Sequence, residues 1–126
     1  MPSLRRSIAS VGWLLESLGY VAFQSWEHGR SWRLGGAYIV IKQSLTAQAY
    51  DRLHPGLNHL AFHCGTRDEC DRLVAASQDH GWMLLFPELH PNAGGPDHYA
   101  GFIADIDGFE IELVAADRLE VPGAVR

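Results

Sequence analysis

Apolar positions recur along this chain at two different spacings. Over residues 3–18, Ile8, Val11, Leu15 and Leu18 fall three to four apart and line one face of a predicted helix. Ser3 stands where an N-cap is wanted, and Gly19 where a left-handed residue closes the C-terminus. From Tyr20 the period shortens. Tyr20–Trp26, Ser31–Leu34 and Ala37–Gln43 read as strands, with turns at Glu27–Arg30 and at Gly35-Gly36. Residues 44–56 form a connection that ends in the breaker Pro55-Gly56.

The order then repeats. Leu57–Cys64 reads as a strand. Thr66 and Glu69 make a capping-box pattern, in which hydroxyl and carboxylate satisfy the free amides of a helix start. That helix is predicted to run to about Asp79 and to end near Gly81, with Trp82–Phe86 as the next strand. A loop over 87–97 leads to Phe102–Val114, an apolar hairpin around Asp107-Gly108, where glycine tolerates the positive φ of a tight turn. Leu18-Gly-Tyr20 corresponds to His80-Gly-Trp82, and Gly35-Gly36 to Asp107-Gly108. The chain thus reads as an α+β protein of two β-α-β-β-β modules in one domain over 1–126. Module one covers about 1–50, the linker about 44–56 and module two about 57–116. Module one lacks an opening strand, because four residues before its helix are too few.

Composition narrows the function classes. At 126 residues one domain is expected, and 47% hydrophobic residues supply an ordinary core. No apolar run approaches the ~20 residues that cross a bilayer, and the N-terminus shows no h-region or cleavage site. Cys64 and Cys70 do not form Cys-x-x-Cys, so reduced, structural thiols in the cytoplasm are expected. Net charge is −5 with no basic stripe, which argues against a nucleic-acid partner.

The chemistry concentrates in a few side chains. Strand alternation puts Glu110 and Glu112 on one face and Ile111 and Leu113 on the other. Two carboxylates on an apolar strand are costly if buried and unpaired, so they face water or a polar cavity holding something cationic. Leu57, His59, Ala61 and His63 share one face of their strand. His59 and His63 lie about 13 Å apart along it, too far to share an ion whose ligands sit about 2 Å away. Glu110 is either a general acid/base or the partner of an arginine. His98 and Tyr99, after Gly94-Gly95-Pro96, are candidates for proton donation or substrate contact, or else packing and rim residues. The 87–97 loop reads as a lid or a plain connector. Trp26, Trp32 and Tyr38 read either as an aromatic pocket or as core.

At this point the chain resembles a known family. Leu4-Arg-Arg-Ser-Ile-Ala, Trp13-Leu-Leu-Glu-Ser-Leu-Gly-Tyr20, Gly56-Leu-Asn-His-Leu-Ala-Phe62, Pro96-Asp-His-Tyr-Ala100 and Asp105-Ile-Asp-Gly-Phe-Glu-Ile-Glu-Leu-Val114 are similar to the vicinal oxygen chelate superfamily. Glyoxalase I, fosfomycin-resistance enzymes, extradiol dioxygenases and bleomycin-resistance proteins belong to it. Ile106 stands where the family usually has Pro. The resemblance implies a cupped mixed sheet around a cavity, helices on its convex side, and a divalent metal on two histidines and a glutamate. His59 and Glu112 match one histidine and the glutamate. The other histidine belongs on the absent strand, and Val40 occupies the position equivalent to Glu112. A third ligand is then expected from His98, a partner chain or water. Two imidazoles and one carboxylate suit Fe(II), Mn(II), Ni(II) or Zn(II) and leave positions open for a substrate chelating through two oxygens. The implied activity is a metal-dependent lyase, isomerase or dioxygenase acting on a small vicinal-oxygen substrate. The alternatives are a metal-free small-molecule binder of the bleomycin-resistance kind and a chain with an incomplete metal site. An unpaired edge beside the missing strand implies a homodimer that covers it.

Overall fold

A computed structural model describes residues 1–116. The first sheet is an antiparallel meander of β1 (Val21–Trp26), β2 (Gly29–Leu34) and β3 (Ala37–Lys42), in the order β1-β2-β3. The second holds β4 (His59–His63), β5 (Trp82–Leu84), β6 (Ala100–Asp105) and β7 (Glu110–Val114), in the order β4-β7-β6-β5. β4 runs parallel to β7, and the other pairs are antiparallel. Among the described residues no strand precedes the first helix, so the first sheet has three strands where the second has four.

Local chemistry sets the element ends. β4 begins at His59, two residues later than the apolar run, because the Tyr50 hydroxyl takes the Leu57 carbonyl (2.5 Å). β5 is short because Phe86 adopts a left-handed backbone (φ 51°) and turns the chain away. The first helix is not one continuous α-helix. α1 (Leu4–Ser7) and α2 (Trp13–Ser17) flank a π-helical turn over Ile8–Gly12. Ser and Gly in that turn are weak helix formers. Gly12 is also required there, since a Cβ would lie 2.7 Å from the Trp32 ring. Ser3 does cap α1, its hydroxyl accepting from the Arg6 amide, and Gly19 is left-handed (φ 97°). α3 (Arg67–Ser77) carries the full Thr66–Glu69 capping box and passes through a 3-10 turn, Gln78–His80, to left-handed Gly81.

The helices pack on the convex faces of both sheets, around Val11, Leu14, Leu15, Trp32, Ile41, Val74, Trp82, Ile103, Ile111 and Leu113. Trp82 donates to the Ser10 carbonyl (3.1 Å), tying the first helix to the second sheet. Trp32 is a core residue, 2% exposed, with its indole N–H on Glu16. Tyr38 sits on the opposite, exposed face of that sheet, and Trp26 covers Gly29, so the three aromatics do not form one pocket.

The cysteines depart from expectation: Cys64 and Cys70 are joined as a disulfide. The tight passage from β4 through Gly65 into the first turn of α3 brings their Cα atoms to 5.3 Å, inside disulfide range. Among the described residues no helix is long and apolar enough to cross a membrane.

Candidate functional site

The site is assembled by the β6–β7 turn. Asp105 Oδ1 accepts from the amides of Asp107 (3.0 Å) and Phe109 (2.9 Å) and so fixes the turn. Burial raises the Asp105 carboxyl above its usual range, against the pull of these backbone donors. With the turn fixed, β7 lies beside β4 with His59 opposite Glu110 and Ala61 opposite Glu112. Both carboxylates therefore face the concave side, together with His59.

Three side chains meet there. Glu112 Oε1 lies 3.1 Å from His59 Nε2, and Glu112 Oε2 lies 2.5 Å from His98 Nε2. His98 arrives on the 85–99 connection, whose Gly94 leaves room for the imidazole: a Cβ there would come within 2.6 Å of the ring. The other nitrogen of His59, Nδ1, is 2.7 Å from Asn58 Oδ1, an acceptor, so Nδ1 carries a proton. A third imidazole nitrogen, His98 Nε2, shares the same carboxylate. Glu112 thus joins two proton carriers.

Glu110 is buried at 5% exposure, and its Oε2 lies 3.6 Å from His59 Nδ1. Arg52 Nη1 stands 3.3 Å from its Oε1, close enough for ion pairing but not aligned as a hydrogen bond. Glu110 thus has an arginine partner and is itself covered, while Arg52 keeps 37% of its side chain exposed. The cover is the linker. Tyr50 stacks on Phe109 (3.9 Å between ring centres) and Arg52 reaches over Glu110. Burial, followed by the Glu110 charge, raises the Tyr50 hydroxyl above its usual pKa. Phe86 packs edge-on against Phe102 on the other flank. An apolar cavity of about 390 Å³ lies where the two sheets meet, with Val40, Ile41, Leu57, Leu60 and Trp82 on its walls and Glu110 among them.

Tyr99 does not join the cluster. It stands just before β6 and its side chain turns toward α3, where its hydroxyl donates to Asp71 (2.7 Å) and its ring lies under Arg67. The Asp71 bond raises its pKa. His63 ends β4 beside Trp13 and Arg72, in a groove on the helix side. Tyr50, Arg52 and Asn58 were not singled out in the sequence. The linker has no periodicity, and only the Asn58-His59 adjacency hinted at a histidine held in one orientation.

His59, His98 and Glu112 have the donor chemistry of a divalent-metal site, and Asn58 orients one imidazole as an outer-shell partner would. Their arrangement does not fit. The carboxylate sits between the two imidazoles and bonds to both. Among the described residues no group of three or more His, Cys, Asp or Glu side chains is disposed to hold a metal ion.

The fold is of the vicinal-oxygen-chelate type. No protein-family model matches the chain. It is 39% identical to a protein of Bacillus halodurans that carries a glyoxalase name, with a TM-score of 0.87 over 92% of this chain and 90% of that one. It is 40% identical over 107 residues to the uncharacterized Bacillus subtilis protein YqjT, covering 82% of this chain and 84% of that one. A glyoxalase/bleomycin resistance protein of Albidiferax ferrireducens shares the fold at 20% identity (TM-score 0.69, 90% of each chain). The chain belongs to the glyoxalase/bleomycin-resistance/dioxygenase family of the vicinal oxygen chelate superfamily.

Proposed function

We propose that this protein binds a small molecule with adjacent oxygen atoms at the His59–Glu112–His98 cluster on the concave face of the second sheet. The observation that carries this reading is the convergence of those side chains from β4, β7 and the 85–99 connection on one carboxylate. Phe102 lies edge-on to both His59 and Phe86 and gives the cluster an aromatic flank. In such a site Glu112 orients both imidazoles, and a proton at His59 Nε2 or His98 Nε2 is available to a ligand oxygen. Glu110, paired with Arg52, lies 3.6 Å from His59 Nδ1.

A second reading is a metal-dependent lyase, isomerase or dioxygenase, in which His59, His98 and Glu112 would reorient to hold a divalent ion that would polarise a substrate oxygen. The Asn58–His59 contact favours it, because it leaves Nε2 pointing at the carboxylate. Calorimetric titration of chelator-treated protein with Mn(II), Fe(II), Ni(II) and Zn(II), beside Glu112→Ala, separates the two. The first reading expects no stoichiometric binding, with affinity for diols or hydroxy-carbonyls that survives chelator and is lost in Glu112→Ala. Micromolar binding of one ion per chain, abolished by the substitution, replaces the first reading with the second. We further propose that the chain is a cytoplasmic homodimer, expected to sediment at twice its 14.0 kDa mass. A monomer at every concentration ends that proposal.

A further inference from the structure

The disulfide is unequally exposed. Cys70 is 2% exposed, on the buried face of α3, whereas Cys64 is half-buried and lines an open groove. The groove, about 590 Å³, runs between α2 and α3, with Trp13, Leu18 and Leu73 beside Arg72 and His63. It lies on the helix side of the second sheet, away from the concave cluster. A small molecule entering it meets one sulfur of the pair and not the other.

The reduced state is also accommodated. A thiol on Cys64 has the Val114 carbonyl at 3.3 Å, and a thiol on Cys70 has the Gly65 carbonyl at 4.0 Å. Both protons gained on reduction therefore find acceptors already in place. The Thr66–Glu69 capping box holds the start of α3 without the covalent link.

We propose that Cys64 is a reversible thiol-modification site, reached through this groove, with Cys70 as its resolving partner. In the forward direction an external thiolate attacks Cys64 Sγ, forming a mixed disulfide. The Cys64–Cys70 bond breaks and its electron pair leaves on Cys70, which is then protonated. A second external thiolate attacks the mixed disulfide, releasing the oxidised external disulfide and Cys64 thiolate. In reverse, an external disulfide oxidises Cys64, and Cys70 displaces the external thiol to restore the internal bond. The asymmetry of access fixes the order, because exchange depends on which sulfur can be reached.

The test uses 2-mercaptoethanol and its disulfide as probes, read by intact mass after alkylation. In buffer containing both, the full chain is expected to form the internal disulfide without accumulating the mixed species. Cys70→Ser is expected to gain one mercaptoethanol group at Cys64, roughly tenfold or more faster than Cys64→Ser gains one at Cys70. Ala76→Trp, an exposed change on the groove wall that leaves both cysteines intact, is expected to slow reduction of the native bond several-fold. Failure to form the internal bond at any thiol-to-disulfide ratio overturns the proposal. So does equal reactivity of Cys64 and Cys70 in the single-cysteine variants, or an Ala76→Trp chain reduced at the native rate.

Discussion

The two sheets present corresponding concave faces, and only one of them is covered. In the second sheet that face holds Glu110 and Glu112, both shielded. In the first it holds Val21, Phe23, Tyr38 and Val40, all exposed. Strand chemistry does not account for the contrast, since the first face is the more apolar. The connections do. β1 and β2 are joined by two residues, Glu27-His28, whereas β5 and β6 are joined by residues 85–99, which carry His98 and Phe86 back over the sheet. The linker at residues 43–58 likewise folds Tyr50 and Arg52 over the second sheet. One module pattern therefore yields a bare face or a chemical site according to the length and reach of its loops.

The largest effect should come from the strands beneath the covered face. Leu113→Ala on β7, at 0% exposure, is expected to cost about 3 kcal/mol, the loss of a buried leucine plus its residual cavity. Phe23→Ala on β1, at 44% exposure, is expected to cost about 1 kcal/mol or less in the monomer. Urea unfolding of both variants checks the ratio. Equal losses would mean that β1 is as buried in solution as β7.

Reducing the Cys64–Cys70 bond removes a short cross-link within the second module only. The chain-entropy relation for so small a loop gives about 2 kcal/mol of lost stability. Thermal unfolding with and without reductant measures it, with Cys70→Ser as the control that should show no reductant effect.

Asp105 tests the turn that positions β7. Asp105→Ala removes the acceptor of two backbone amides and is expected to cost about 2 kcal/mol. Asp105→Asn keeps an Oδ1 acceptor and removes the charge. Because the folded carboxyl titrates above the usual 3.8, the folded state binds its proton more tightly than the unfolded chain. Its contribution is therefore most favourable below 3.8, is lost as pH rises through the folded pKa, and stays lost at neutral pH. Stability measured against pH across the acid range should show this downward term in the native protein and not in Asp105→Asn. An unchanged profile in the asparagine variant would show that burial does not act on this group.

Much of the fold was legible because it rests on local signals. Thr66 with Glu69, Gly19, Gly81 and Asp107-Gly108 each satisfy a backbone demand visible within four residues. The π-turn was not legible, because the Ile8–Gly12 pattern is helical in period and the close approach of the Trp32 ring to Gly12 comes from another element. Within the site, His59 and Glu112 were legible through alternation and the family motif, and His98 only as one of two neighbours whose direction alternation left open. Tyr50 and Arg52 were hidden in an aperiodic linker, since their role depends on where that linker lies and not on its own pattern. The disulfide was hidden for a similar reason: a six-residue separation says nothing until the strand-to-helix turn is known.

The smallest expected effect is the sharpest check on the comparison. Val40 occupies in the first sheet the place that Glu112 holds in the second, and it is 42% exposed. Val40→Glu therefore puts a carboxylate on the equivalent position of the bare face. Val40 borders the apolar cavity between the sheets but keeps enough exposure for the carboxylate to turn to water, so the monomer's unfolding free energy is expected to change by no more than about 0.5 kcal/mol. The added acid finds no imidazole, since no counterpart of the 85–99 connection stands over it. Its effect on assembly is separable. If the bare face is also where two copies meet, two new carboxylates are brought together and sedimentation should shift toward monomer while the unfolding of the monomer hardly changes. A large loss of monomer stability would mean that β3's concave face is covered within the chain, and the contrast between the two modules would then lie elsewhere than in their loops.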